Sequence, residues 1–144
     1  MALIYLIRHA EAQSYWSGGD ASRPLSARGR KQADWMARHL QGLRADELRC
    51  APHRRCVETA EIIGAALGMQ PEIDDRLHIA RHFEVEPAAG TSIWVAHSNN
   101  IPDALYALGV PGNRCAHASA WKLELDDANR LTTAEYIEPD LLGQ

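Results

Sequence analysis

The sequence predicts an α/β fold, a three-layer α/β/α sandwich with a mostly parallel central sheet. Residues 3–7 and 92–96 are largely apolar runs without polar alternation, which is typical of strands buried on both faces. Each run is followed by a segment with the apolar spacing of an amphipathic helix, and so is the stretch around residue 50. Strands that lead into helices in this way place helices on both faces of a parallel sheet.

Composition limits the class of protein. The 144 residues fit a single domain over 1–144, and 46% hydrophobic with 24% charged residues are globular values. With a net charge of −4, the protein lacks the positive electrostatic field of a nucleic-acid binder, so no nucleic-acid partner is expected. No apolar run approaches the roughly 20 residues of a membrane helix, and the first run lacks the flanks of a signal peptide. Three cysteines argue against a disulfide framework and predict a cytoplasmic protein.

The first half of the chain contains the clearest element signals. A polar, Gly-rich loop is expected over residues 12–23, beside the end of the first strand. Ser26 is a predicted N-cap, and the helix that it starts should end before Gly42. Its apolar stripe consists of Ala33, Met36, Ala37 and Leu40.

A short strand over residues 46–50 precedes a second helix that should end at Gly68. Arg54 and Arg55 lie in the first turn of this helix, where the helix dipole makes a cation unfavourable. An anion bound to the free helix amides and a guanidinium group would explain an arginine at this place. Because the two arginines are adjacent, at least one of them is expected to face solvent.

The second half is less regular. Residues 73–77 are predicted to form a short strand, and residues 78–90 carry no firm element signal. After the strand over 92–96, Asn99 or Asn100 should cap a third helix with Pro102 near its first position. Gly109 should close that helix.

The C-terminal region indicates a β-hairpin. Strands are expected over residues 120–125 and 131–137, with a turn over 126–129 at the edge of the sheet. The tail over residues 138–144 is expected to fray.

Histidines end the two most apolar strands. Arg8 and His9 follow the first, and His97 follows the strand over residues 92–96. Ligands of open parallel sheets bind outside the carboxyl ends of the strands. We therefore expect His9 and His97 to meet at one edge of the sheet and to form an anion site there.

Four segments together resemble the histidine phosphatase superfamily, which includes the phosphoglycerate mutase-like enzymes. They are Leu-Ile-Arg-His-Ala-Glu at 6–11, Arg-Pro-Leu-Ser-Ala-Arg-Gly-Arg-Lys-Gln-Ala at 23–33, Ala-Pro-His-Arg-Arg-Cys-Val-Glu-Thr-Ala at 51–60 and Val-Ala-His-Ser-Asn at 95–99. The matches occur in order over most of the chain. In its short length, the chain is most similar to the phosphohistidine-phosphatase-like members of the superfamily.

The resemblance implies a role for each matching residue. His9 would be the nucleophile and would carry the phosphoryl group as a covalent intermediate. Arg55 fits the Pro-x-x-Arg spacing from Pro52, which selects it over Arg54. The residues that would hold the phosphoryl oxygens are Arg8, Arg55, His97 and Ser98. The resemblance implies neither a cofactor nor a metal.

The general acid is the point at which the sequence departs from the family pattern. Many relatives carry an acidic residue about where Ile79 stands. Glu84 is the possible substitute and Glu86 lies close by, but both are more simply interpreted as surface charges. Without an acid, good leaving groups such as phosphohistidine or an acyl phosphate would be favoured.

The predicted function is hydrolysis of a phosphomonoester or phosphohistidine, in a phosphorylated small molecule or phosphoprotein. Alternatives are a non-catalytic phosphate- or phosphoprotein-binding module and, less favoured, a phosphoglycerate-type mutase. A metal hydrolase built on His78 and His82 is a further alternative, because these residues have the spacing of two ligands one helical turn apart. Ile79 stands where a zinc protease of that pattern needs glutamate.

Overall fold

The computed structural model describes residues 1–110 and 114–142. Within these ranges a six-stranded sheet has the order β3-β2-β4-β1-β5-β6. Its strands are β1 (Ala2–Arg8), β2 (Glu47–Cys50), β3 (Glu72–Ile73), β4 (Gly90–Ala96), β5 (Ala120–Leu125) and β6 (Leu131–Ile137). Strands β3, β2, β4 and β1 pair in parallel, whereas β5 and β6 add an antiparallel edge. The predicted α/β fold with a mostly parallel sheet is confirmed.

Helices flank this sheet as α1 (Ala27–His39), α2 (Arg54–Leu67) and α3 (Ile101–Ala107). The connections from β1 through α1 to β2 and from β2 through α2 to β3 run in the same direction along the sheet. Because such crossovers are right-handed, α1 and α2 lie on the same face, where they pack together. The connection from β3 to β4 returns in the other direction and therefore crosses the opposite face. Asn100, next to α3, donates to the Leu77 carbonyl of that connection. Helix α3 therefore lies on the second face, and the three-layer sandwich is confirmed.

The predicted helix ends agree with the structure. The Ser26 side chain accepts a hydrogen bond from the Gly29 amide as the N-cap of α1. Gly68 follows α2 with a φ of 70°, and Gly109 follows α3 with a φ of 83°. Glycine adopts this left-handed conformation without steric penalty.

The predicted extent of the strand over residues 73–77 is wrong. Only Glu72 and Ile73 pair as a strand, because the Asp74 carboxylate accepts from the Arg76 amide and starts a 3₁₀ turn over Asp75–Leu77. Asn100 is the N-cap residue of α3 and Pro102 lies in its first turn, as predicted, but the Asn100 side-chain oxygen accepts from the His97 amide and makes no capping hydrogen bond.

The C-terminal hairpin is confirmed, with β5 and β6 joined by a turn closed between Asp126 and Arg130. The hydroxyl of Tyr136 in β6 donates to Glu138, which follows the hairpin. Residues 143–144 of the predicted tail lie outside the described residues. No helix in the described part of the chain is long and apolar enough to cross a membrane.

Candidate functional site

His9 and His97 meet at one edge of the sheet, as expected from the ends of their strands. Strands β1 and β4 are parallel neighbours with Arg8 opposite Ala96, and the His9 amide donates to the Ala96 carbonyl over 3.0 Å. The two imidazole centroids lie 5.4 Å apart. Only 8% of His9 and 1% of His97 are exposed, so both imidazoles lie in a largely dry site.

The tautomer of His9 follows from one hydrogen bond. Its Nδ1 lies 2.7 Å from the Ala10 carbonyl oxygen. A carbonyl can only accept, so Nδ1 carries the proton and Nε2 keeps its lone pair. Burial lowers the pKa of His9 to about 3, and the charges of Arg55 and Arg8 contribute. His9 is therefore neutral at physiological pH, with an unprotonated Nε2.

The two arginines that the resemblance selected are held by backbone and carboxylate oxygens. Arg8 ends β1 and donates from Nη1 to the Cys115 carbonyl over 2.9 Å. Arg55, in the first turn of α2, is 2% exposed. Its Nη1 donates to the Asp20 carbonyl over 3.0 Å, and its Nη2 to the Asp20 carboxylate over 3.2 Å. Asp20 belongs to the loop over residues 12–23, which therefore reaches the site.

Arg54 is the solvent-facing member of the adjacent pair. It is exposed and forms an ion pair with Glu58. The prediction that one of the two arginines faces solvent is confirmed, and the buried one is Arg55.

Three of the residues that are predicted to bind phosphoryl oxygens have a buried nitrogen atom without a hydrogen-bond partner within the described ranges. These atoms are Arg8 Nε, Arg55 Nε and His97 Nδ1; Arg23 Nε and Ser92 Oγ share this state. Buried polar atoms are nearly always hydrogen-bonded in folded proteins. The Nε atoms of Arg8 and Arg55 are therefore unpaired donors, whereas the role of His97 Nδ1 depends on the tautomer of the ring.

Three further histidines surround the pair, and sequence reasoning missed their part in the site. The His53 Nδ1 lies 3.2 Å from the His97 Nε2. The rings of His53 and His78 are 4.6 Å apart, and those of His9 and His117 are 5.9 Å apart. Burial, followed by the effects of His9 and His53, lowers the pKa of His97 to about 2. His97 is therefore neutral as well.

Thr59 joins the end of β1 to helix α2. Its Oγ1 accepts from the Ala10 amide over 3.0 Å and donates to the Arg55 carbonyl over 2.8 Å. The residue after His9 is thereby fixed relative to the turn that holds Arg55.

Helix α1 packs closely on the next residue along the chain. The Glu11 amide donates to the Gln32 side chain over 2.9 Å. A Cβ atom added at Gly29 would lie 2.0 Å from the Glu11 carbonyl oxygen. Glycine is therefore required at this point of contact.

The structure gives less support to Ser98 and Glu84. Ser98 is exposed beside His97. Glu84 is exposed and shares a cavity with Glu86 and Trp94; the described residues that line this cavity do not include His9, His97 or the two arginines. The roles of Ser98 and Glu84 stay predictions.

The spacing of His78 and His82 does not produce one helical face, because the chain forms a turn there. The His78 ring packs on His53, whereas His82 lies 3.1 Å from Asp103. Among the described residues, no group of three or more His, Cys, Asp or Glu side chains has the geometry to hold a metal ion.

Sequence comparison identifies proteins related to this chain. The model of the histidine phosphatase superfamily (branch 1) matches residues 4–86. The chain is 27% identical to the 8-oxo-(d)GTP phosphatase of Mycolicibacterium smegmatis over 157 residues, covering 94% of this chain and 48% of that protein. It spans about half the length of the curated relatives that it matches.

Solved structures show the same fold at low sequence identity. The protein histidine phosphatase SixA complexed with tungstate has a TM-score of 0.75 and 17% identity, covering 95% of this chain and 97% of that one. YhfR of Bacillus stearothermophilus has a TM-score of 0.74 and 16% identity, covering 92% and 95%. The family model covers more than half of the sequence, and we conclude that the chain belongs to the histidine phosphatase superfamily, branch 1.

Proposed function

We propose that this protein is a metal-independent phosphatase that passes a phosphoryl group from its substrate to His9 and then to water. The observation that carries this proposal is the set of unpaired, buried nitrogens on Arg8, Arg55 and His97 beside a neutral histidine. The donors suit three phosphoryl oxygens, and the neutral imidazole suits nucleophilic attack.

In the first step the lone pair of His9 Nε2 attacks phosphorus. A phosphorus–nitrogen bond forms while the bond to the leaving group breaks, and the leaving group departs with that electron pair. The Ala10 carbonyl, which accepts from Nδ1–H, stabilises the positive charge that develops on the imidazole.

In the second step water attacks phosphorus and the bond to His9 Nε2 breaks. The electron pair of the broken bond returns to Nε2, which restores the neutral imidazole, and phosphate leaves while the proton of the attacking water passes to solvent. Throughout, Arg8, Arg55 and His97 donate to the equatorial oxygens, where the charge of the transition state is spread. Ser98, next to His97, is proposed as an additional phosphate ligand.

The proposed substrates have leaving groups that need little help from an acid, in a phosphorylated small molecule or a phosphoprotein. Glu84 and Glu86 line a cavity whose described lining residues do not include His9, which supports this choice. Phosphohistidine and acyl phosphates have such leaving groups. One of the structurally similar proteins is named as a protein histidine phosphatase, which also favours phosphohistidine.

The decisive experiment replaces the nucleophile. His9→Ala should abolish turnover of an aryl phosphate, yet vanadate should still bind to the remaining donors. In the wild type, acid quenching during turnover should trap a phosphorylated protein that His9→Ala lacks. His39→Ala is the control, because His39 is exposed on α1 and stacks on Trp35.

Three results would contradict the proposal. Turnover by His9→Ala within about tenfold of wild type would exclude His9 as the covalent residue. A wild-type protein that binds vanadate but gives neither turnover nor a trapped intermediate would instead be a phosphate-binding module. Treatment with a chelator should leave turnover unchanged, and a loss would refute the metal-independent route.

We also propose a reducing compartment such as the cytoplasm. Cys50, Cys56 and Cys115 are free thiols, and burial raises the pKa of Cys50 to about 12. Retention of full activity in excess thiol reductant is expected, and dependence on an oxidising buffer would contradict this assignment.

A further inference from the structure

The two nitrogens of His97 have different surroundings. Nε2 lies 3.2 Å from His53 Nδ1 and 3.6 Å from the Cys56 sulfur. Nδ1 is buried without a partner in the part of the chain that the structure describes. Under the proposed function, Nδ1 is therefore the atom of His97 that remains for a phosphoryl oxygen.

A neutral imidazole carries one proton, so its position decides what His97 can do. With the proton on Nε2, Nδ1 would present a lone pair to the oxygen of an anion, and the contact would be repulsive. With the proton on Nδ1, His97 can donate to that oxygen, but Nε2 then needs a donor of its own. Burial keeps the pKa of His97 well below its usual range, so a doubly protonated ring is not a route to donation at physiological pH.

His53 is the better of the two neighbouring donors. A ring N–H is a stronger donor than a thiol, and the His53 nitrogen is nearer than the Cys56 sulfur. The Cys56 thiol also lies 3.9 Å from the Ala96 carbonyl, to which it can donate.

The sequence holds His53 at the required place. Its φ of −66° and ψ of 140° are extended, and its carbonyl accepts from the Cys56 and Val57 amides as α2 begins. The first turn of α2 therefore fixes His53 and Arg55 together. The His53 side chain makes no helix-capping hydrogen bond, which leaves the ring available to His97.

His78 supplies the next ring outward. Its Nδ1 accepts from the Ala80 amide over 3.0 Å, so the neutral His78 ring carries its proton on Nε2. The ring packs against His53 with an interplanar angle of 60°.

We propose that His53 is a positioning residue, which donates from Nδ1 to His97 Nε2 and thereby keeps the His97 proton on Nδ1, facing the phosphoryl oxygen. This inference rests on the proposed function for its catalytic consequence. The tautomer itself does not depend on that function. The groups that face His53 are His97, His78, Arg55 and Asp20.

The test uses full-length protein labelled with ¹⁵N in its imidazoles and measures the tautomer of His97 by NMR, with and without vanadate. The wild type should have His97 protonated on Nδ1. In His53→Leu the donor is lost, and His97 should become a mixture of tautomers. In His53→Asn the amide NH₂ replaces the Nδ1–H donor, and the wild-type tautomer should return.

Kinetics on an aryl phosphate supply the second measurement. His53→Leu should lower kcat about 10- to 100-fold, somewhat less than the loss of a whole oxyanion donor, with a smaller change in KM. His53→Asn should recover most of kcat, whereas His53→Gln should not, because its longer amide cannot occupy the Nδ1 position. His39→Gln is the control histidine and should behave as wild type.

Each outcome decides the question. A wild-type His97 protonated on Nε2, or an unchanged tautomer in both His53→Leu and His53→Gln, would overturn the inference. Using two variants covers the case in which leucine prevents folding. If the wild type shows no turnover at all, the proposed function fails, while the NMR measurement still decides the tautomer.

Discussion

The Thr59 hydroxyl accepts a hydrogen bond from the Ala10 amide over 3.0 Å, so a side chain of α2 fixes the residue that follows the candidate nucleophile. The same hydroxyl donates to the Arg55 carbonyl. Ala10 in turn supplies the carbonyl that sets the tautomer of His9. A single buried hydroxyl therefore ties the orientation of His9 to the helical turn of Arg55.

Replacing Thr59 with valine should remove this link while keeping the shape of the side chain. The buried Ala10 amide would lose its acceptor, and the free energy of unfolding should fall by about 1–3 kcal/mol. We expect kcat to fall as well, because the carbonyl that orients His9 is no longer fixed. Urea unfolding and aryl phosphate kinetics measure the two effects. Thr59→Ser retains the hydroxyl and should stay near wild type; equal behaviour of both variants would contradict this role.

Gly29→Ala should destabilise the protein, although alanine is normally the better helix former. The new Cβ would lie 2.0 Å from the Glu11 carbonyl, and overpacking of this kind typically costs about 1–3 kcal/mol. Gly19→Ala is the matched control, since its added Cβ meets nothing within 4 Å. Thermal unfolding of the two variants gives the comparison, and a more stable Gly29→Ala would show that α1 can shift away from Glu11.

Stability should fall as the pH drops below 6.5. In the folded protein the pKa of His9 is lowered to about 3 and that of His97 to about 2, from an ordinary value of 6.5. Between these limits the unfolded chain binds protons that the folded chain does not, so acid favours unfolding. Each histidine should reduce the folding equilibrium constant by up to about tenfold per pH unit.

Urea titrations at a series of pH values between 4 and 7 measure this slope. In His9→Asn the slope should be smaller, by the amount that corresponds to about one proton bound on unfolding. An unchanged slope in that variant would mean that His9 already binds a proton in the folded protein.

Glu84→Gln should leave the dependence of turnover on leaving-group pKa unchanged. Its carboxylate lines a cavity whose described lining residues do not include His9, whereas a true general acid contributes about 10²–10⁴-fold for poor leaving groups. A series of phosphate monoesters of graded leaving-group pKa measures the dependence. Glu86→Gln, from the same cavity, is the matched comparison. A selective loss on poor leaving groups in either variant would identify the missing acid.

The features that the sequence could predict depend on local patterns and on one rule of topology. Unbroken apolar runs defined β1 and β4, and the common edge of parallel strands brought His9 and His97 together. Glycine and serine at helix ends gave the bounds of α1 and α2. The strand predicted over residues 73–77 is wrong because the Asp74 side chain competes for the backbone of this segment, which apolar content does not reveal.

The contacts missed at the site come from distant parts of the chain. Asp20 reaches Arg55 from 35 residues away, and Thr59 reaches Ala10 from 49. Spacing along one element carries no information about such pairs. His53 had a local signal, since it lies between Pro52 and the two arginines at the start of α2. A histidine at a helix start does not by itself indicate a functional site.

The contact between Asp20 and Arg55 means that the site carries its own counter-ion. The Asp20 carbonyl and carboxylate already accept from Nη1 and Nη2 of Arg55, whereas Nε has no partner among the described residues. An oxyanion that binds this arginine therefore shares the guanidinium group with Asp20 or competes with Asp20 for Nη1 and Nη2. In both cases the anion meets a guanidinium group that already has a negative partner, so its affinity depends on where the loop over residues 12–23 holds Asp20.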